Sequence, residues 1–122
     1  MANDLKGTLN KLAQADGFIA ASLVDIESGM TLGSIGGGEK FDVEVAGATN
    51  STVVKAKLRA AEALGLDDKI EDILISLTSQ YHLIRLLPDR PNIFVYMALN
   101  RQQSNLAMAR LLVTDATNGL KL

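Results

Sequence analysis

Few residues in this chain are of a type that could do chemistry. His82 is the only histidine and there is no cysteine, so a histidine-based triad would have to run through that one side chain. It sits inside an apolar run, no serine stands in a nucleophile-elbow motif, and a core or sheet-surface histidine fits better. Asp67, Asp68, Glu71 and Asp72 could hold a divalent cation, but they lack the ligand spacing of a calcium loop. Neighbouring strand residues also point to opposite faces, so the four read as a solvated acidic turn leading into a strand. Gly36-Gly37-Gly38-Glu39-Lys40 has the composition of a phosphate loop without its Gly-Lys-Ser/Thr ending or its strand-loop-helix spacing, and reads as a flexible connection. Asn50-Ser51-Thr52 matches a glycosylation sequon, which is moot in a cytoplasmic chain. Arg101 and Arg110 flank the start of the last helix, and a positioned arginine can stabilise phosphoryl transfer in a partner. Ordinary surface arginines satisfy the same pattern. The expectation is therefore no catalytic residue, no metal and no cofactor.

Composition narrows the setting. The chain has 122 residues, 48% apolar and 21% charged, which suits a single domain over 1-122. The net charge is −2 with no block of one sign, which argues against a phosphate-neutralising nucleic-acid surface. Without cysteine there is no disulfide framework, thiol nucleophile or thiolate metal site. The first ten residues carry no apolar secretion segment. The longest strand-like apolar run, Ile93 to Leu99, is far short of the roughly 20 residues that cross a bilayer. A cytoplasmic protein without membrane insertion is expected.

The elements follow from periodicity. Leu5, Leu9, Leu12 and Ala13 share a helical face that Asn3 or Asp4 can cap, ending near Asp16-Gly17. Phe18 to Asp25 and Met30 to Ile35 are extended runs joined by Glu27-Ser28-Gly29, a hairpin. A long second helix spans Asp42 to Leu64, with Gly65 as its terminal cap. Three more strands, Asp72 to Leu77, Tyr81 to Leu87 and Ile93 to Leu99, are linked by Thr78-Ser79-Gln80 and by Pro88 to Asn92. Ser104 or Asn105 caps a last helix carrying Leu106, Ala109, Leu112 and Val113 on one face. Strands 1 and 5 are apolar on both faces and belong in the middle, which gives the order 2-1-5-4-3. The second helix must then carry the chain between edges about 19 Å apart at ~4.8 Å per strand, which a helix about 34 Å long can cross diagonally.

That helix has more apolar surface than one contact needs. Val45, Ala46, Val53, Ala56, Ala60 and Leu64 form one stripe, assigned to the sheet; Val43, Val54, Leu58 and Ala61 form a second, assigned to a partner. Glu44, Lys55, Arg59 and Glu62 fill the remainder. The stripes together cover roughly 200°, whereas lying on a sheet takes little more than about 100°. Alanine as a mere helix former on a solvated face would leave Val54 and Leu58 unexplained. Strand 3, at a sheet edge, shows Ile73, Leu74 and Ile75 with no proline or lysine to guard it. A homodimer joined through Val43, Val54, Leu58, Ala61, Ile73, Leu74 and Ile75 is expected.

In order along the chain, four segments resemble a prokaryotic roadblock/dynein-light-chain domain over essentially its whole length. They are Gly17-Phe18-x-Ala20-Ala21-x-Leu23-Val24-Asp25-x-Glu27-Ser28-Gly29-Met30, Glu71-Asp72-Ile73-Leu74-Ile75, Tyr81-His82-Leu83-Ile84-Arg85, and Asn105-Leu106-Ala107-x-Ala109-Arg110. The resemblance implies an α+β fold, an α/β/α sandwich with helix 2 on one face of a five-stranded antiparallel sheet and helices 1 and 3 on the other. It also implies homodimers joined through strand 3 edges and helices 2. Members of that family act as non-enzymatic platforms, and those of this size regulate Ras-like GTPases, some as GTPase-activating partners that supply no arginine. Fold carries over more securely than function. The competing readings are a scaffold subunit of a larger signalling assembly and a small-molecule sensor or enzyme. The latter needs a polar site in an apolar pocket that the sequence does not announce.

Overall fold

The computed structural model describes residues 4–122. The elements are α1 (Leu5–Leu12), β1 (Phe18–Asp25), β2 (Thr31–Gly36), α2 (Val43–Ala63), β3 (Asp72–Ser76), β4 (Gln80–Leu87), β5 (Arg90–Asn100) and α3 (Leu106–Thr117). Each helix starts where a short polar side chain satisfies a backbone N–H that the first turn leaves free. The Asp4 carboxylate accepts from Gly7 N–H at 2.7 Å, Asp42 from the N–H groups of Glu44 and Val45, and Asn105 from Met108 N–H. Of the two expected caps for the first helix, Asn3 lies outside the described residues; for the last, the cap is Asn105 rather than Ser104. β5 begins earlier than the apolar run suggests, because Leu87 pairs with Arg90 and the β4–β5 link turns on Pro88-Asp89 alone.

The five strands form one antiparallel sheet in the order β2-β1-β5-β4-β3, as expected. Alternation along the strands divides the core into two layers. Leu23, Leu83, Val95, Met97 and Leu99 face α1 and α3, meeting Leu9, Leu12, Ala109, Val113 and Ala116. Val24, Ile84, Phe94, Tyr96 and Ala98 face the other way, toward α2. Thr8 joins α1 to α3 inside the first layer, donating its hydroxyl to Ala116 O at 2.9 Å.

The seating of α2 departs from expectation. It lies along β1 and β2 rather than crossing diagonally, and residues 64–71 complete the passage to the β3 edge. The approach is close: a Cβ on Gly47 would stand 2.9 Å from Val24 Cγ2. The α2 residues buried against the sheet are Gly47, Asn50, Ser51 and Val54. Val54 is 0% exposed and belongs to its own subunit's core, so its assignment to a partner is corrected. Gly47, Asn50 and Val54 form the inward row, whereas Val43 and Ala61 are half-buried and Leu58 is 38% exposed. The inward row was hidden because its central positions are small or polar. Close helix-sheet approach requires that, with Asn50 donating to Ala46 O and Ser51 to Ala48 O.

Candidate interaction surface

Lys55 donates to Glu27 O at 2.7 Å, which fixes the polar sector of α2 over the β1–β2 hairpin. The opposite flank, carrying Ala46, Val53, Ala56, Ala60 and Leu64, is thereby turned toward the β3 side of the sheet. Ala46 packs partly against the core, while Val53 is 38% and Leu64 71% exposed. On that side Ile73 and Ile75 are half-buried, and β3 ends the sheet with its outer backbone edge open. Leu74 turns the other way, into the layer of α1 and α3, so it offers an approaching partner its backbone rather than its side chain. Leu58 and Ala61 line a groove of about 590 Å³ with Ile70, Leu86, Pro88 and Pro91. An apolar helix flank, a half-buried edge strand and its open backbone edge are thus left without cover inside the subunit.

The residues considered for chemistry are not brought together. His82 stands on the α2 side of the sheet between two aromatic edges, with Phe41 at 6.1 Å and Tyr96 at 5.3 Å between ring centroids. Its Nε2 donates to Gln80 Oε1 at 2.8 Å and its Nδ1 accepts the Tyr96 hydroxyl at 3.2 Å. Burial pushes its pKa below 6.5 and raises that of the Tyr96 phenol, so the pair is neutral and satisfied without an activated nucleophile. Asp67, Asp68 and Glu71 are exposed, and no group of acidic or histidine side chains among the described residues could hold a metal ion. The three-glycine segment is a set turn rather than a flexible connection: Gly36 and Gly37 have φ +83 and +80, and Gly37 N–H donates to Ile19 O. The anion position at the α2 N-terminus is filled by the Asp42 carboxylate itself. Asp25, at the β1–β2 turn, is held below its ordinary pKa by the Ser28 hydroxyl and N–H, which it accepts at 2.7 and 2.9 Å.

Both candidate arginines are engaged. Arg101 donates to Leu77 O at 3.0 Å and lies over the Tyr81 ring, 5.1 Å from its centroid. Arg110 pairs with Asp72 at 3.1 Å. Arg85, which carried no role in the sequence reading, has a buried Nε–H with no acceptor among the described residues.

No family profile and no curated protein sequence matches the chain. Solved structures do. A Roadblock/LC7 domain from Streptomyces avermitilis superposes with a TM-score of 0.80 at 14% identity, over 95% of this chain and 93% of that one. MglB of Myxococcus xanthus gives 0.79 at 15%, over 92% and 80%. The chain has the roadblock fold. MglC of Myxococcus xanthus, at 0.61 and 18% identity over 93% and 92%, shows the same fold with looser superposition. No helix of the roadblock fold seen here is long and apolar enough to cross a membrane, among the described residues.

Proposed function

We propose that the chain is a homodimeric, non-enzymatic regulatory module that binds a Ras-like small GTPase in the cytoplasm. The observations that carry the dimer are the exposed Val53, Ala56, Ala60 and Leu64 on α2, the half-buried Ile73 and Ile75, and the open β3 edge. Contiguous apolar patches beyond a few hundred Å² are unusual on a monomer, and an unguarded strand edge invites a second strand. Within the proposed dimer, the outer flank of α2 takes the place assigned to Val54, while Val43, Leu58, Ala61, Ile73 and Ile75 keep their assignment. The fold shared with MglB and MglC and the family resemblance support a GTPase as the partner.

If the module also accelerates hydrolysis, it does so by ordering the GTPase's own switch segments. Arg101 and Arg110 are already bonded within the subunit, and an inserted arginine would be worth about 10³–10⁵ in rate. The test is titration of a purified Ras-like GTPase from the source organism, loaded with GDP or a GTP analogue, against the purified chain. Saturable binding at one chain dimer per complex supports the proposal. Failure with every such GTPase favours the scaffold reading, a subunit that builds a larger signalling assembly without affecting nucleotide turnover.

A further inference from the structure

His82 on β4 stands directly opposite Ile75 on β3 in the sheet register. Side chains opposite one another in an antiparallel ladder lie about 5 Å apart on one face, so the ring shares the α2 side of the sheet with Ile73 and Ile75. His82 and Ile75 are both half-buried, and a second copy that covers Ile75 also covers the part of the ring that meets water. Both ring nitrogens are committed in the neutral form, Nε2–H to Gln80 Oε1 at 2.8 Å and Nδ1 to the Tyr96 hydroxyl at 3.2 Å. A proton on Nδ1 removes the acceptor of that hydroxyl, inside a fully buried tyrosine. Nothing around the ring offsets a positive charge. Tyr96 on β5 is the titratable group in contact with it, while Ile75 on β3, Gln80 and Ile84 on β4, Ala98 on β5 and Phe41 ahead of α2 are uncharged. Of the charged residues flanking Phe41, Lys40 and Glu44 are exposed and the Asp42 carboxylate is taken by the α2 cap.

We propose that His82 makes the association of two copies of this chain pH-dependent, the neutral ring being compatible with a covered sheet and the protonated ring holding the copies apart. The inference rests on the dimer reading above and adds its regulation; it is independent of the GTPase. Within one subunit, burial already holds the pKa of the ring below 6.5, with no charged neighbour contributing, and covering the rest of the ring lowers it further. The dimer then binds fewer protons than two separate subunits. Its strength is fully present above about pH 6.5 and is lost as pH falls through the pKa of the uncovered ring. Linkage makes the effect reciprocal, so association lowers the proton affinity by the factor by which protonation weakens association. Each dimer carries two such rings, which limits the dependence to about a hundredfold in Kd per pH unit.

The test titrates the His82 ring by NMR from about pH 8 to about pH 5 in dilute and in concentrated protein, with sedimentation at the same pH values. As the only histidine, His82 gives ring signals that need no assignment. Its pKa is expected to lie about one pH unit lower in the concentrated sample, and the dimer Kd to rise about tenfold between about pH 7.5 and about pH 5.5. His82→Gln, neutral throughout, is expected to hold Kd steady over that range. Should the variant fail to fold, the wild-type pair of titrations decides, because a ring with a purely structural role titrates alike at both concentrations. A pKa that does not move with concentration in a chain that sediments as a dimer overturns this inference and leaves the dimer standing. An equally steep pH dependence of Kd in His82→Gln also overturns it. A chain that stays at the 13.0 kDa monomer mass at neutral pH removes the dimer reading and this inference with it.

Discussion

The two faces of the sheet are built differently. Against α1 and α3 the sheet meets Leu9, Leu12, Ala109, Val113 and Ala116, all nearly inaccessible, and Thr8 links the two helices through a buried hydrogen bond. Against α2 the helix contributes Val54 as its one fully buried apolar side chain, with Gly47, Asn50 and Ser51 beside it. The α2 face also carries the unpaired Ser22 hydroxyl and the half-buried Ile73 and Ile75. One face is closed by the subunit's own helices, and the other is half closed and has its apolar surplus on the outside of its helix. In the proposed dimer, the layer that the subunit completes itself sets stability, and the layer left incomplete sets association.

The sharpest test of that contrast is Leu12→Ala in the closed layer. Removing a side chain that is 0% exposed is expected to cost about 2–5 kcal/mol in urea unfolding, whatever the state of association. Val53→Asp on the open flank is expected to weaken the dimer by about 3 kcal/mol, roughly two orders of magnitude in Kd. Because Val53 is 38% exposed within the subunit, the folded monomer should persist. Sedimentation would then fall toward the 13.0 kDa monomer mass, and an unchanged sedimentation profile would break the comparison.

Gly47→Ala probes the seam itself. Overpacking against Val24 at 2.9 Å is expected to cost about 1–3 kcal/mol, offset by about 1 kcal/mol of helix propensity, a net loss of about 1 kcal/mol in thermal unfolding. The smallest effect expected is from His82. Burial lowers its pKa below 6.5, so the neutral ring's contribution is fully present above pH 6.5 and is lost as pH falls through the folded value. His82→Gln should flatten that part of the stability profile, measured by unfolding from pH 7 down to pH 5.

Much of the fold was legible before any coordinates. Asp42 as a helix cap, Gly65 after the helix end, the apolar runs on both faces of strands 1 and 5, and the resulting strand order are local or near-local patterns, and backbone geometry leaves few ways to satisfy them. The placing of His82 within a strand and of Asp67, Asp68 and Glu71 in an exposed turn was legible on the same grounds. What periodicity could not reveal was which apolar stripe of α2 meets the sheet. It counted Val43, Val54, Leu58 and Ala61 as surplus because Gly47, Asn50 and Ser51 interrupt that row, yet those residues mark the closest approach to β1. It also gave no sign that Arg110 on α3 pairs with Asp72 on β3, 38 residues away along the chain. Sequence determined the elements and their order, since hydrogen bonding and side-chain alternation act within and between neighbouring segments. Tertiary structure decided orientation and electrostatic pairing, because both depend on how near two elements come and on which of several acceptors a charge reaches first.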